Sequence, residues 1–380
     1  MRVASLDAMR GLVIVLMAID HARAFVAKNH PGEFWGRPLP DYGGDVLAFV
    51  TRLISHPCAP GFFFLMGAGM VLLAAARAGE TTLKGRTTRF LAVRGVALIL
   101  LGQIFENLSF TFGFANATRM ESYGIRVPGA DGTAPSVILG VLYGLGAALI
   151  LGSLLRRLRP AALLGVAALL VAVTEWVIPP ASQVDVRFHP LVRLLLIPGK
   201  TGRLLVAYPV LAWLPCTLIG MAFARWLLDD RERAFRRLAL TGAAFLVLFV
   251  ALRAAGGFGN LTPPVPGWIG FFNTVKYPPA LTFLLFALGV DFLLLTAIER
   301  WRLAERPWIE PLRVFGGVPL FFFVTHLWLY AVMGRFFPAG TTLASMYLFW
   351  LLGLVLLYYP CKRYGAFKRA RPQSSLLRMF

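Results

Sequence analysis

A histidine eleven residues beyond an arginine, within one apolar stretch, constrains this chain most. The stretch opens Ser5-Leu6-Asp7-Ala8-Met9-Arg10-Gly11 and closes Asp20-His21. It is long enough to cross a bilayer, and an ionisable group at membrane depth is costly enough to imply a function or a partner. A helix advances about 1.5 Å and about 100° per residue, so Arg10 and His21 lie within about 20° of one face and roughly 16 Å apart along the axis. One helix face therefore links a membrane surface to the protein interior.

Hydrophobic residues make up 58% of the 380 and charged residues 15%, outside the range of soluble globular domains. The chain reads as an all-α polytopic integral membrane protein. Runs long enough to span fall at 8–28, 57–77, 92–113, 135–155, 160–179, 205–227, 238–254, 279–298, 314–334 and 341–360, about ten helices in a single domain over 1–380. The 38 Lys and Arg against 18 Asp and Glu, a net +20, would point to nucleic acid in a soluble chain. Here the basic residues gather in alternate short connections, at 77–94, 156–159, 225–237 and 300–313, and in the tail 362–380. That placement puts both termini in the cytoplasm and gives the tail to anionic membrane lipids, with no nucleic acid as partner.

The first span is not read as a signal peptide, because Asp20 and His21 interrupt the region that would have to be apolar. Cys58, Cys216 and Cys361 are too scattered for a disulfide framework and serve as small core residues. No metal set is expected, since no HxxxH, HExxH or CxxC spacing occurs, and no nucleophile elbow, Walker or dinucleotide fingerprint is present.

The connections on the opposite side, about 29–50, 114–134, 180–204 and 255–278, are longer and rich in Pro, Gly, Asn and aromatic residues, as a recognition surface requires. Several segments break the apolar pattern: 52–60, Glu106-Asn107, 208–215, Lys276-Tyr277-Pro278-Pro279 and Thr325-His326. Irregular backbone at membrane depth survives only where protein or a water-filled cavity satisfies it, so these segments predict a polar chamber. His21, His56, Glu106 and His326 come from four spans at similar depth, which points to one site.

Each candidate has a plain and a functional reading. His21 is a buried histidine bonded to a neighbouring helix, or a general base or acylated nucleophile. Asp20 projects about 100° away from it and reads as a helix contact or a substrate contact, so an acidic partner from another span, Glu106, is the expected orienter of the ring. Arg10 pairs with Asp7 at i, i+3, or binds phosphate with a fork of donors; Arg89 and Arg94 assist it, or merely mark topology. His56 and His326 are structural or belong to the substrate site, and Asn107, Lys276 and Tyr277 are substrate-contact candidates, with Lys276 otherwise snorkelling to the interface. His30 and His189 lie in the outer connections, where a solvated ring is the default.

Arg-x10-His after Leu-Asp-x-x-Arg-Gly resembles the signature of the transmembrane acyltransferase superfamily, which includes the acyltransferase-3 proteins. The closer resemblance is to the bacterial heparan-alpha-glucosaminide N-acetyltransferase catalytic-domain-like family, carried by Ser5 to His21, His56 to Gly67, Tyr208 to Gly220, Asn273 to Leu281 and Val318 to His326. The Tyr208 to Gly220 block departs from it in having Ala212 before Trp213. The resemblance implies a bacterial inner-membrane enzyme that moves an acetyl or other short acyl group from cytosolic acyl-CoA to a hydroxyl or amine of a saccharide or glycan-like acceptor. Acetyl-CoA is then the donor, with its phosphates near Arg10 and its thioester near His21. Arg10 and His21 match the arginine and histidine of the acyltransferase-3 motif, whereas the heparan-type enzymes place the active histidine in the loop after the first span, where His30 lies; both histidines stand as candidates. A proton-coupled transporter or export protein is the alternative, since intramembrane histidines and carboxylates also build proton relays. A homodimer is compatible with the chain, because lipid-facing and subunit-facing apolar surfaces read alike.

Overall fold

The computed structural model describes residues 3–77, 84–118, 121–122, 137–183, 188–201 and 203–371. The end of the basic tail, 372–380, and most of the predicted outer connection 114–134 lie outside the described residues.

The chain is helical almost throughout. The first half holds α1 (Ala4–Phe25), α2 (Val46–Leu53), α3 (Cys58–Ala76), α4 (Lys84–Leu101), α5 (Leu108–Phe114), α6 (Val141–Leu155), α7 (Pro160–Val177) and α8 (Pro190–Leu195). The second half holds α9 (Val210–Asp229), α10 (Arg231–Ala255), α11 (Trp268–Phe272), α12 (Leu281–Arg300), α13 (Glu310–Gly317), α14 (Pro319–Arg335) and α15 (Leu343–Ala370). Strands of two or three residues edge the connections: β1 (Asn29–His30) pairs in parallel with β2 (Glu121–Ser122), and β5 (Leu204–Val206) lies between β3 (Val137–Leu139) and β4 (Gly199–Thr201).

Seven helical segments among the described residues are long and apolar enough to cross a membrane, or eight if the bent pair Pro307–Gly317 and Pro319–Arg335 is one span. A helix lies within each of the ten predicted runs, with three local differences. α1 keeps Asp7, Arg10, Asp20 and Arg23 along its 22 residues. α6 begins only at Val141, because β3 takes the preceding residues. The run predicted at 314–334 is broken at Val318, where the chain turns by 88° before Pro319 starts α14. The predicted loop 29–50 also contains the start of α2, whose N-cap Asp45 accepts from the Ala48 amide at 2.9 Å.

α3, α9 and α12 are mostly buried, whereas α7, α10 and α15 present Trp176, Leu240, Val247, Leu348 and Val355 outward. These outer helices are apolar on the exposed side because their solvent is lipid. Lipid tails are as apolar as the helices, so the inner bundle is held by close packing through small residues. The α3–α9 crossing is reciprocal: a Cβ on Gly67 would stand 2.0 Å from the Thr217 carbonyl oxygen, and one on Gly220 would stand 1.9 Å from that of Phe64. Both backbones approach to a distance that no side chain allows.

Gly67→Ala is expected to separate α3 from α9 and cost about 1–3 kcal/mol, the usual penalty of overpacking. A thermal melt in detergent checks this against Gly165→Ala on α7, where nothing lies within 4 Å of the added Cβ and the melt should not fall.

Candidate active site

α1 and α14 bring His21 and His326 together. Nδ1 of His21 lies 2.7 Å from Nε2 of His326, and Nδ1 of His326 lies 2.8 Å from the Phe322 carbonyl oxygen one turn earlier. A carbonyl only accepts, so His326 carries its hydrogen on Nδ1 and accepts at Nε2 from His21 Nδ1–H. This assignment, made from the bond network, leaves Nε2 of His21 as a bare lone pair. Phe110 and Phe323 meet the His21 ring edge to face at 6.1 and 6.0 Å, and Phe322 stacks on His326 at 5.0 Å. His326 is fully buried, while His21 keeps partial access. A fixed imidazole with one open basic nitrogen is the arrangement of a general base and its positioning partner.

Asp20, next on α1, belongs to a charged network. Arg52 Nη1 donates to Asp20 Oδ2 at 2.5 Å, Arg52 Nε donates to Glu33 Oε1 at 2.8 Å, and Arg52 Nη2 donates to Glu33 Oε2. His56 Nε2 lies 2.9 Å from Glu33 Oε1. Arg52 and Glu33 thus meet fork to fork, the strongest geometry for this pair. Burial alone would raise the Glu33 carboxyl, but the Arg52 guanidinium and the His56 hydrogen bond hold it well below the usual carboxylate range. His30, on β1, is half-buried beside the same network; burial and then the Arg52 charge push it down to about 4, so it is neutral at pH 7. The default of a solvated His30 is corrected, while His189 caps α8, its Nδ1 accepting from the Leu191 amide at 3.2 Å.

The segment around Lys276 is laced to this network through its backbone. The amides of Lys276 and Tyr277 both donate to the Glu33 carbonyl at 3.0 Å, and the Trp35 amide donates to the Tyr277 carbonyl at 2.9 Å. Tyr277 stacks on Phe34 at 4.7 Å, and its hydroxyl lies 3.2 Å from that of Tyr208, whose ring tilts against Trp213 at 4.8 Å. The charged network is therefore walled on one side by aromatic rings.

A cavity of about 600 Å³ runs beside α1. One end is basic, lined by Arg10, Arg77, Arg94, Lys368 and Arg369, and the lining continues through Met17, Leu142 and Phe323. Met17 is one turn before His21, and Phe323 touches its ring. Arg10 also bonds Asp7 at 2.7 Å, as the i, i+3 spacing predicts. Arg89 is exposed and is not part of the lining, so its expected contact with a ligand is not supported by its position.

Glu106 is not the partner of His21; His326 is. A π-helical turn over Gly102–Asn107 aims Glu106 at the start of α6, where its two oxygens accept from the Val141 and Leu142 amides at 3.1 and 3.3 Å. The positive end of a helix is where a buried carboxylate is most easily held. Asn107 is half-buried in the same turn, with Oδ1 buried and unbonded. Sequence reasoning also missed Glu33, which hides in a loop beside two glycines, and Asp291, buried in α12 with neither oxygen bonded. The signal for Glu33 was Arg52 itself, since a cation in an apolar stretch requires a counter-charge.

Residues 2–255, about two thirds of the chain, match the family model described as heparan-alpha-glucosaminide N-acetyltransferase, catalytic. The chain belongs to that family. No curated protein matches the chain in a sequence comparison. Membership in the heparan-alpha-glucosaminide N-acetyltransferase family makes this a membrane acetyltransferase. The matched segment holds Arg10, His21, Glu33, Arg52, His56 and Arg94, whereas Lys276 and His326 lie beyond it and join the heparan-alpha-glucosaminide N-acetyltransferase segment only in space.

Glu33→Gln leaves Arg52 and His56 without their shared anion and is expected to cost about 3–5 kcal/mol, read as a lower melting temperature in detergent. The pH dependence has a definite sign. The folded Glu33 carboxyl lies below its unfolded value of about 4.3, so its contribution is complete above that range and is lost as pH falls below it. Wild-type stability should therefore drop on acidification more steeply than that of Glu33→Gln.

Proposed function

We propose that the protein transfers an acetyl or other short acyl group from cytosolic acyl-CoA to a hydroxyl or amine of a saccharide or glycan-like acceptor. One observation carries this reading: the cavity lined by Arg10, Arg77 and Arg94 also takes in Met17, one turn before His21, and Phe323, which meets the ring of a histidine whose tautomer is set by His326. Coenzyme A has phosphates at one end of a flexible arm and the thioester at the other. Arg10, Arg77 and Arg94, with Lys368 and Arg369, would hold the phosphates, and the apolar lining would take the arm. His21 would accept the acceptor's proton at Nε2, and His326 would steady the imidazolium through the bond at Nδ1. Asp20, His56, Lys276 and Tyr277 then flank the acceptor, His30 borders it, and Glu106 and Asn107 support the wall through the start of α6. With the basic end facing the cytoplasm of a bacterial inner membrane, the acceptor enters from the far side.

The experiment is CoA release from acetyl-CoA by detergent-purified protein, with and without sugar acceptors. His21→Ala should reduce transfer by about 10²–10⁴-fold, the range of a lost general base, while acetyl-CoA binding persists. His326→Ala should cost less, since the base stays and only its orientation goes. Arg94→Gln should raise the KM for acetyl-CoA several-fold with little change in kcat. Full transfer by well-folded His21→Ala overturns the assignment of the base. A wild-type protein that binds no acyl-CoA at near-millimolar concentration overturns the enzyme reading in favour of transport.

A further inference from the structure

Among the described residues six cationic side chains are buried, and five of them are spent on acceptors. Arg23 donates to Asn29 Oδ1 and the Ala48 carbonyl, Lys28 to the Gly113 carbonyl, Arg52 to two carboxylates, Arg193 to the Pro198 carbonyl, and Arg253 to four oxygens around residues 260–273. Lys276 is the sixth. It is 4% exposed, and its ammonium has no hydrogen bond or ion pair with any described residue. The face of Tyr277 lies under it, at 5.5 Å. Leaving a buried cation unbonded is expensive, and its backbone is pinned by two bonds to the Glu33 carbonyl, so the side chain is rooted where it stands.

The position of this charge is informative. The Lys276 backbone hangs from the Glu33 carbonyl, Glu33 and Asp20 both bond Arg52, and Asp20 adjoins His21 on α1, so Lys276 belongs to the chamber of the base. Asp20 and Glu33 are both taken up by Arg52, which leaves the Lys276 ammonium as a cation of the chamber with no bonded anion among the described residues. An oxyanion formed during transfer is a negative charge that such a cation can hold, and it adds no net charge, because the proton that His21 receives appears at the same moment.

Resting on the acyl-transfer reading above, we infer that the Lys276 ammonium is the donor that stabilises the oxyanion on the acyl carbonyl oxygen. The acceptor heteroatom bonds to the carbonyl carbon, the carbonyl π pair moves to the oxygen facing Lys276, and the acceptor proton moves to His21 Nε2. Collapse restores the carbonyl and breaks the carbon–sulfur bond, and the departing thiolate takes the proton from His21. The products are the acylated acceptor and CoA thiol, with His21 and Lys276 as they began.

Two measurements test this together. In steady-state transfer, Lys276→Met should lose about 10²–10³-fold in kcat, the range for one lost oxyanion donor, with both KM values within about threefold and Lys276→Arg recovering part of the rate. In equilibrium binding, which needs no turnover, carboxymethyl-CoA carries a carboxylate near the position of the acyl carbonyl; Lys276→Met should weaken it at least tenfold while CoA itself binds as in wild type. Unchanged CoA affinity also certifies that the variant is folded. Equal carboxymethyl-CoA affinity in variant and wild type overturns the role of Lys276 and leaves acyl transfer standing. A raised acceptor KM at unchanged kcat overturns it in favour of a ground-state anchor for an anionic acceptor. A wild type that binds neither CoA nor carboxymethyl-CoA overturns the transfer reading and this role with it.

Discussion

The buried guanidinium of Arg52 is the constraint on which the rest of the site depends. A cation sealed among apolar helices must be matched by anions and hydrogen-bond acceptors in good geometry, or it destabilises the fold. Arg52 meets that demand by drawing in Asp20 from α1 and Glu33 from the following loop. Glu33 in turn takes the His56 ring with one oxygen and the Lys276 segment with its backbone carbonyl. The Lys276 segment, more than two hundred residues away in sequence, is thereby held in one chamber with three stretches of the N-terminal part. The lock on Asp20 also sets the rotation of α1. His21, one residue on and about 100° round the helix, is then turned toward α14 and its partner His326.

Two kinds of polar site share α1, and they differ in how they treat charge. At the Arg10 end, cations crowd a cavity wall with Asp7 as their near acid, an arrangement open to anionic ligands. At the His21 end, Asp20, Glu33, Arg52 and His56 are bonded to one another. Met17 and Phe323 line the same cavity and adjoin His21, so apolar side chains lie between the two. The 88° turn between α13 and α14 contributes to both ends, since Gly316 and Gly317 line the cavity while α14 carries His326. At the α1–α13 crossing, Cβ atoms on Gly11 and Gly316 would fall within about 2 Å of the opposing backbone, 1.9 and 2.0 Å, so small residues let the cavity wall close tightly.

His21 and His326 stood out because a titratable ring within an apolar run is expensive wherever the run packs. Arg52, Lys276 and the prolines near them stood out for the same reason, as breaks in a pattern. Glu106 stood out equally, and its reading failed. Depth along a span says how high a side chain sits, not which way it faces, and the π-turn aims this one at the amides of α6. Glu33 was invisible because an acid in a Gly- and Pro-rich loop is ordinary until the loop is seen folding inward.

By itself, the sequence determined that this is an all-α membrane protein, that a helix lies within each apolar run, and that Arg10 and His21 share a face, because apolar run length and helical periodicity are local properties. Only the tertiary structure decided that His326 and not Glu106 partners His21, that Glu33 neutralises Arg52, and that the Lys276 ammonium has no bonded partner among the described residues. Those outcomes depend on helix rotation and loop return, which are fixed by close backbone crossings and by the demand of buried charges for partners far away in the chain.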